Sequence, residues 1–433
     1  MSADSDPAAF PAIDRKAIDP DACKILSRLE EFGHRAYLVG GCVRDLLVGG
    51  APKDFDISTD ARPRQIRRIF RNSRVIGRRF RLVHVRFGPR IFEVSTFRAP
   101  PAEADQGDDP YITRDNVFGT EEQDAVRRDF TINGLFYDVS RRKVIDHVGG
   151  LRDLGQRCVR TIGDSLLRLR EDPVRILRAM RFAARLRFEL DPELTAAMFE
   201  VREDLRRSPP PRVLEELYKM LSSHGAARCF ELFEELGARE ILLPEVHNPP
   251  ERLRRALTEL EVRTDGRRDR VPQSMLLATL TGPWVLSVLK DVQTDDREAA
   301  VQELLFPIAR RFVVARRDVG MARQCLAAQW SLRHPPHGRR SHRLTYLESF
   351  RPALELRRIL GPLDDDDEQA AETLEAWEEH GRHAAPPRDP EGRRPRRRGR
   401  RRRRGGRRRG RGGKDLSGPA SEVRPGPCPP ASD

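Results

Sequence analysis

The chain has 433 residues, 38% hydrophobic and 34% charged, with a formal net charge of +14. That length supports two to four domains with cores of their own. No run of about 18 apolar residues occurs, and the N-terminus lacks a basic segment followed by an apolar one, which argues against a membrane span, a membrane partner or an export signal. Cys23, Cys42, Cys158, Cys229, Cys325 and Cys428 are scattered without paired spacing. They read as reduced thiols of a cytoplasmic protein rather than as a disulfide framework or zinc site.

Residues 1–20 read as a mobile leader, and a helix is predicted over Asp21–Glu31. The stretch Tyr37–Ile57, YLVGGCVRDLLVGGAPKDFDI, is the most informative. An apolar strand stops at Gly40-Gly41, a short helix carries Val43, Leu46 and Leu47 on one side, and a second strand carries Asp54 and Asp56. Side chains alternate along a strand, so both carboxylates share a face while Phe55 points to the core. They repel each other unless a cation lies between them. Mg2+ takes oxygen ligands of this kind and keeps phosphate oxygens in its other positions. The glycine pair lets backbone N–H groups approach an anion, and the following helix start adds a favourable dipole. A triphosphate over two metal-binding carboxylates makes a nucleotidyl-transfer site.

Further along, a helix is predicted near Pro63–Phe70, with strands over Ser73–Ile76, Leu82–Phe87 and Ile91–Phe97, the last two joined at Gly88-Pro89. Ala99–Gly119 reads as a flexible loop beside the site. A helix is expected over Asp124–Phe136, which would place Gly134 inside it at a cost of up to about 1 kcal/mol, and a strand pair brackets Ser140–Lys143. Beyond Gly150 helical periodicity takes over. One helix opens at Asp172-Pro173, with Asp172 as N-cap and Pro173 at the first position. Others cover about Pro192–Arg207, Val213–Ser222, Ala226–Leu236, Pro250–Val262 and Ser274–Val288. The predicted architecture is an α/β head (21–150, a small mixed sheet flanked by helices), an all-α neck (151–222) and body (223–362), and a final segment (363–433). That last part holds an acidic helix over Asp364–Glu379 and a disordered Arg-rich tail.

Charge is concentrated in two places. Residues 391–414 carry fourteen Arg and one Lys against one Glu, which is the whole net excess. The stretch from Arg62 to Arg90 holds eleven arginines and no acid. Both point to polyanion binding, and the tail, including Arg398 and Arg402, to loose tethering of RNA by guanidinium groups.

Five blocks in order, GGCVRDLLVG, KDFD, EVSTFR, RRDFTINGLFYD and EDPVRILRAMRFAARL, resemble the class II nucleotidyltransferases, the family of the poly(A) polymerases and CCA-adding enzymes. By that resemblance Asp54 and Asp56 hold two Mg2+ ions, while Gly40, Gly41 and Arg44 contact the triphosphate of ATP. Arg128 and Asp129 lie in the block that shapes the sugar pocket and completes the site. Asp172 and Arg175 read the base edge, favouring A or C over G or U. A third carboxylate has two candidates. Glu93 is a lone acid on an apolar strand, expensive unless paired with a cation, and is taken as the metal-side carboxylate; Asp129 is taken as a family active-site residue, the alternative being a salt bridge within its helix. Val75–Val85, VIGRRFRLVHV, with Arg78, Arg79 and His84, resembles the stretch that marks bacterial poly(A) polymerases. The implied activity is template-independent addition of A to RNA 3' ends from ATP, with release of pyrophosphate. The alternatives are CCA addition to tRNA and a nonenzymatic RNA-binding protein. Helicase or RNA-decay partners are compatible with this reading.

Overall fold

Apolar residues at Ala22, Ile25, Leu26 and Leu29 recur at helical spacing and are all buried on one face of α1 (Pro20–Glu31). Asp19 caps that helix by accepting from the Asp21 amide at 2.8 Å, and a proline opens it. The computed structural model describes residues 10–77, 81–99, 117–247, 249–264, 271–290, 296–362 and 369–383.

The head is a seven-stranded sheet in the order β3-β4-β5-β2-β1-β6-β7. Its strands are β1 (Ala36–Val39), β2 (Ile57–Thr59), β3 (Ser73–Ile76), β4 (Leu82–Phe87), β5 (Arg90–Thr96), β6 (Leu135–Asp138) and β7 (Lys143–Asp146). β2 and β5 pair in parallel, and the other neighbours are antiparallel. The sheet is therefore mixed, as expected. Both faces of β1 are covered: Ala36 and Leu38 belong to the main core with α1, α2 (Gly41–Leu47) and α3 (Pro63–Ile69), while Tyr37 and Val39 join Phe97, Ala125 and Phe136 on the other side.

Several boundaries differ from the sequence expectation. From Phe10 onward the expected leader is packed against the head: Phe10 is partly buried, and Ile18 is buried beside the turn Arg15–Ala17, which Asp14 caps. Asp54 and Asp56 lie just before β2, not within it. The Val39 amide donates to the Asp56 carbonyl at 3.0 Å, and beyond it Gly40, at positive φ, turns the chain into the next helix, so β1 ends before it can pair with Asp54 and Phe55. The alternation survives, because Phe55 is buried and both aspartates open outward.

The helix expected over Asp124–Phe136 divides into three pieces. α4 (Glu121–Val126) is closed at its start by a Thr120/Gln123 capping box; a 3-10 turn follows at Thr131–Asn133, and then β6. Asp129 accepts from the next amide, holding the chain non-helical after α4, and the apolar run Leu135–Tyr137 fills the slot between β1 and β7. Gly134 is consequently not helical. It has φ −88°, open to any residue, but a Cβ there would lie 2.5 Å from Val148 Cγ2 and 3.3 Å from Ile162 Cδ1. Gly134→Ala is expected to destabilise the protein by about 1–3 kcal/mol through overpacking, read as a lower urea midpoint; an unchanged midpoint would contradict it.

Beyond the head are α5 (Gly150–Gly155), a parallel pair of two-residue strands, β8 (Cys158–Val159) and β9 (Glu189–Leu190), and then helices. α6 (Ser165–Glu171) leads into α7 (Val174–Leu186). α7 begins after Pro173, so Asp172 is not its N-cap. α8 (Pro192–Val201) continues as a 3-10 segment to Arg207, followed by α9 (Pro210–Leu221), α10 (Ala226–Glu235), α11 (Ala238–Leu242) and α12 (Pro250–Thr264). α13 (Gln273–Val288) is buried from Ser274 to Leu286 and forms the axis of the body. α15 (Arg316–Leu332) and α17 (Phe350–Leu360) pack on it together with α9 and α12, α14 (Arg297–Phe312) packs on α15, and α16 (Gly338–Leu344) precedes α17.

The expected acidic helix appears as α18 (Ala370–His383), later than predicted, while residues 363–368 lie outside the described residues. It belongs to the body rather than to a tail, because Trp377 is 1% exposed and its indole N–H donates to the His334 carbonyl at 2.8 Å. No helix among the described residues is long and apolar enough to cross a membrane, and the five described cysteines are unpaired.

Candidate active site

The end of β1, the approach to β2 and the face of α7 enclose a cleft of about 760 Å³, a size suited to a nucleotide. Gly40, Gly41, Arg44, Asp54, Asp56, Arg128, Asp129, Asp172 and Arg175 all line it. Gly40, at φ 74° and ψ −131°, occupies a conformation that suits glycine, and a Cβ there would stand 2.9 Å from Arg128 Nη1. Bare backbone thus borders the cleft beside a guanidinium.

Glu93 reaches the same region through strand register. Ile57 pairs with Val94, so the preceding residues, Asp56 and Glu93, sit side by side on the face opposite the core. Glu93 is exposed and also lies 3.3 Å from Nε2 of His84, its cross-strand neighbour on β4. Burial within the cleft, then the Glu93 charge and, more weakly, that of Asp54, push the Asp56 carboxyl up to about 6, against the opposing pull of Arg128. A carboxylate so burdened is one that a cation would relieve. Among the described residues no group of three His, Cys, Asp or Glu side chains forms a ready-made metal cluster. Mg2+ needs less, since it keeps waters and substrate phosphates around one or two carboxylates. The oxygen donors of Asp54 and Asp56 fit that demand, with Glu93 adjacent.

Asp129 is differently placed. It accepts from the Phe130 amide at 2.9 Å, Asn133 Nδ2 at 3.0 Å and Arg178 Nε at 2.8 Å. Burial alone would raise its pKa, but the Arg178 charge and these hydrogen bonds hold it at about 2. Its carboxylate is engaged by Arg178, Asn133 and the Phe130 amide, whereas Glu93 stands beside Asp56.

Arg44 is almost wholly buried. Its guanidinium donates to Asp45 at 2.9 and 2.7 Å and to Asn133 Oδ1, and it stacks 5.0 Å from the Phe182 ring. Asp45 also accepts from Arg185 of α7 at 2.7 Å. Arg44 therefore backs the cleft, braced by its neighbours. Arg128 donates to Asp124 at 3.1 Å and lies 5.2 Å from the Phe136 ring. Asp172 pairs with Arg212 of α9 at 2.6 Å, the physical reason it does not cap α7, and Arg175 pairs with Glu171 at 3.0 Å. The two face the cleft with separate partners. Arg78, Arg79, Arg398 and Arg402 lie outside the described residues.

Sequence reasoning missed Asn133, which bridges Arg44 and Asp129, and it missed Arg178, Arg181 and Arg185, which extend the row that the expected Arg175 begins on α7. Arg175, Arg178, Arg181 and Arg185 follow at helical spacing, which was a readable sign of one charged face. Their partner Glu216 was not readable. This buried acid of α9 accepts from Arg181 at 3.0 Å and from Arg178 at 3.4 Å.

Residues 36–160 match the family model described as the Poly A polymerase head domain. Residues 187–248 match that described as "Probable RNA and SrmB- binding site of polymerase A". The chain is 36% identical over 398 residues to the Poly(A) polymerase I of Salmonella typhi, spanning 87% of this chain and 85% of that one. It is also 36% identical over 219 residues to the CCA-adding enzyme of Lactobacillus gasseri, spanning 51% and 54%. Its fold is similar to the crystal structure of the Bacillus stearothermophilus CCA-adding enzyme in complex with CTP, with a TM-score of 0.58 and 25% identity over 84% of this chain and 82% of that one. Likeness sustained through head, neck and body at this level makes the chain a member of the bacterial poly(A) polymerase I family of nucleotidyltransferases.

Proposed function

We propose that this protein adds AMP residues to RNA 3' ends from ATP without a template. In the reaction the RNA 3'-oxygen bonds to the α-phosphorus, the α–β bridge breaks, and pyrophosphate leaves. Bound Mg2+, held by Asp54 and Asp56 with Glu93 beside them, would supply Lewis-acid activation of the hydroxyl and charge neutralisation at the leaving group. The open backbone at Gly40 and Gly41 borders the triphosphate, with Arg128 alongside. Asp129 and Asn133, fixed by Arg178, orient Arg44 behind it. Asp172 and Arg175 select the base, exchanging their present partners for its edge.

The observation that carries A-tract synthesis over CCA addition is the reach of the likeness: 87% of the chain for Poly(A) polymerase I against 51% for a CCA-adding enzyme. The test offers ATP or CTP separately to a tRNA lacking its CCA end and to a generic RNA. Long A-tracts on both substrates are expected. Termination at CCA on tRNA alone would replace this reading with the tRNA one, and no incorporation at all would favour a binding protein.

A further inference from the structure

Among the described residues of the arginine-rich stretch from Arg62 to Arg90, none lines the cleft. Part of it lines a second and larger groove of about 1250 Å³, on the head between α1, the end of α3 and the turn Arg15–Ala17. Arg15, Lys16, Lys24, Arg28, Arg68 and Arg71 border this groove, against Glu31 as the one acid among the described residues lining it. Lys24 is paired with Asp21 at 2.8 Å.

Two rings accompany the cations. The Arg28 guanidinium lies 5.9 Å from the Phe32 ring and 5.8 Å from that of Phe70, and Phe32 is 58% exposed. α1 and α3 cover the sheet face that holds Val83, Val85 and Val94, whereas Asp56, Glu93 and His84 project from the other. The groove is therefore separate from the cleft. Basic residues in the last turns of α1 and α3 also complement those helix ends. That explanation reaches Arg28 and Arg68 but not Arg15 and Lys16, which lie in the short 3-10 turn before α1, or Arg71, which follows α3.

We propose that this groove is a second binding site for single-stranded RNA, holding a segment away from the reacting 3' end. Guanidinium groups take the phosphates, and the exposed Phe32 ring beside Arg28 offers a platform for a base. An acidic protein segment would use the charges but leave the open ring unexplained. The inference rests on the proposed reading that RNA is the substrate, and its test needs no nucleotide addition.

The full chain carrying Arg28→Ala, Arg68→Ala and Arg71→Ala is compared with the parent by fluorescence anisotropy, using a labelled RNA of about 20 nucleotides, longer than one typical site. Kd at physiological salt is expected to rise about 10-fold, and the slope of log affinity against log salt to become shallower by about 2, the effect of three lost phosphate contacts on a single strand. Phe32→Ala is expected to weaken binding about 5-fold, through lost stacking, with no change in slope. All four side chains are exposed, and a thermal melt verifies the fold. A triple variant that melts like the parent with unchanged Kd and slope would overturn the proposal. So would retained RNA binding with loss of binding to polyglutamate, which assigns the groove to an acidic partner. Should the enzyme build CCA ends instead of A-tracts, the shallower slope would still support the groove.

Discussion

Asp56→Asn is expected to abolish nucleotidyl transfer and, in metal-free buffer near neutral pH, to make the folded protein more stable. The loss follows from neutralising the carboxylate proposed to hold Mg2+, where the reaction needs several kcal/mol of charge stabilisation, a fall in kcat of at least about 10³-fold. The gain follows from linkage. The folded pKa of Asp56 is about 6, above the ordinary aspartate value of about 3.9, so the fold disfavours the ionised form. The resulting penalty is absent below about pH 4, grows up to about pH 6 and is constant above. Because the side chain opens on the cleft, solvent screening reduces it to about 1 kcal/mol. Urea unfolding with chelator at about pH 7.5 should therefore favour the Asn variant, and the advantage should vanish near pH 4. Asp54→Ala and Asp56→Ala should likewise lose transfer while retaining the fold. Near wild-type incorporation by either would refute the assignment of the carboxylates.

Arg178→Met carries the largest expected stability cost, about 3–5 kcal/mol, because it strands buried carboxylates without their cation. Asp129 loses its ion pair, and Glu216 loses one of two arginines. Here the pH dependence has the opposite sign. Asp129, held at about 2, stabilises the fold above its unfolded pKa of about 3.9, and that contribution disappears as pH falls through about 2. The gap between parent and variant should thus be full at neutral pH and narrow steadily below about pH 4. A gap equally wide at about pH 3 would show that the Asp129 pairing is not its source. Replacing Asp129 by Asn in the same chain should recover part of the loss, since it removes the uncompensated charge.

Local features of the head were legible in the sequence wherever one residue type has one physical use. The glycine pair before an apolar helix, the alternation of Asp54, Phe55 and Asp56, and strands β3 and β4 all appear where their chemistry puts them. The misreading of Asp124–Phe136 has a definite cause. Three consecutive apolar residues, Leu135–Tyr137, suit a buried strand and a helix equally, and only the vacancy between β1 and β7 decides. The partners of the cleft were out of reach for another reason. Asp129 meets Arg178 across 49 positions and Arg185 meets Asp45 across 140, separations at which local pattern carries no information. Asp129 was thus visible as a carboxylate in the right motif, while its commitment to a guanidinium required the packed neck.

The parallel pairing of β2 with β5 also sets where the chain tolerates a change of length. The turn at Gly88 could take up an extra residue and leave the pairing downstream in step. Deleting Val94 or Ser95 with Thr96 held in register would slide the preceding residues by one position, turning Glu93 into the core and bringing Phe92 toward Asp56. A scan of single-residue insertions and deletions across 86–96 would therefore trace a sharp border between silent and inactivating sites, and that border marks how far the acidic cleft depends on one strand counting correctly.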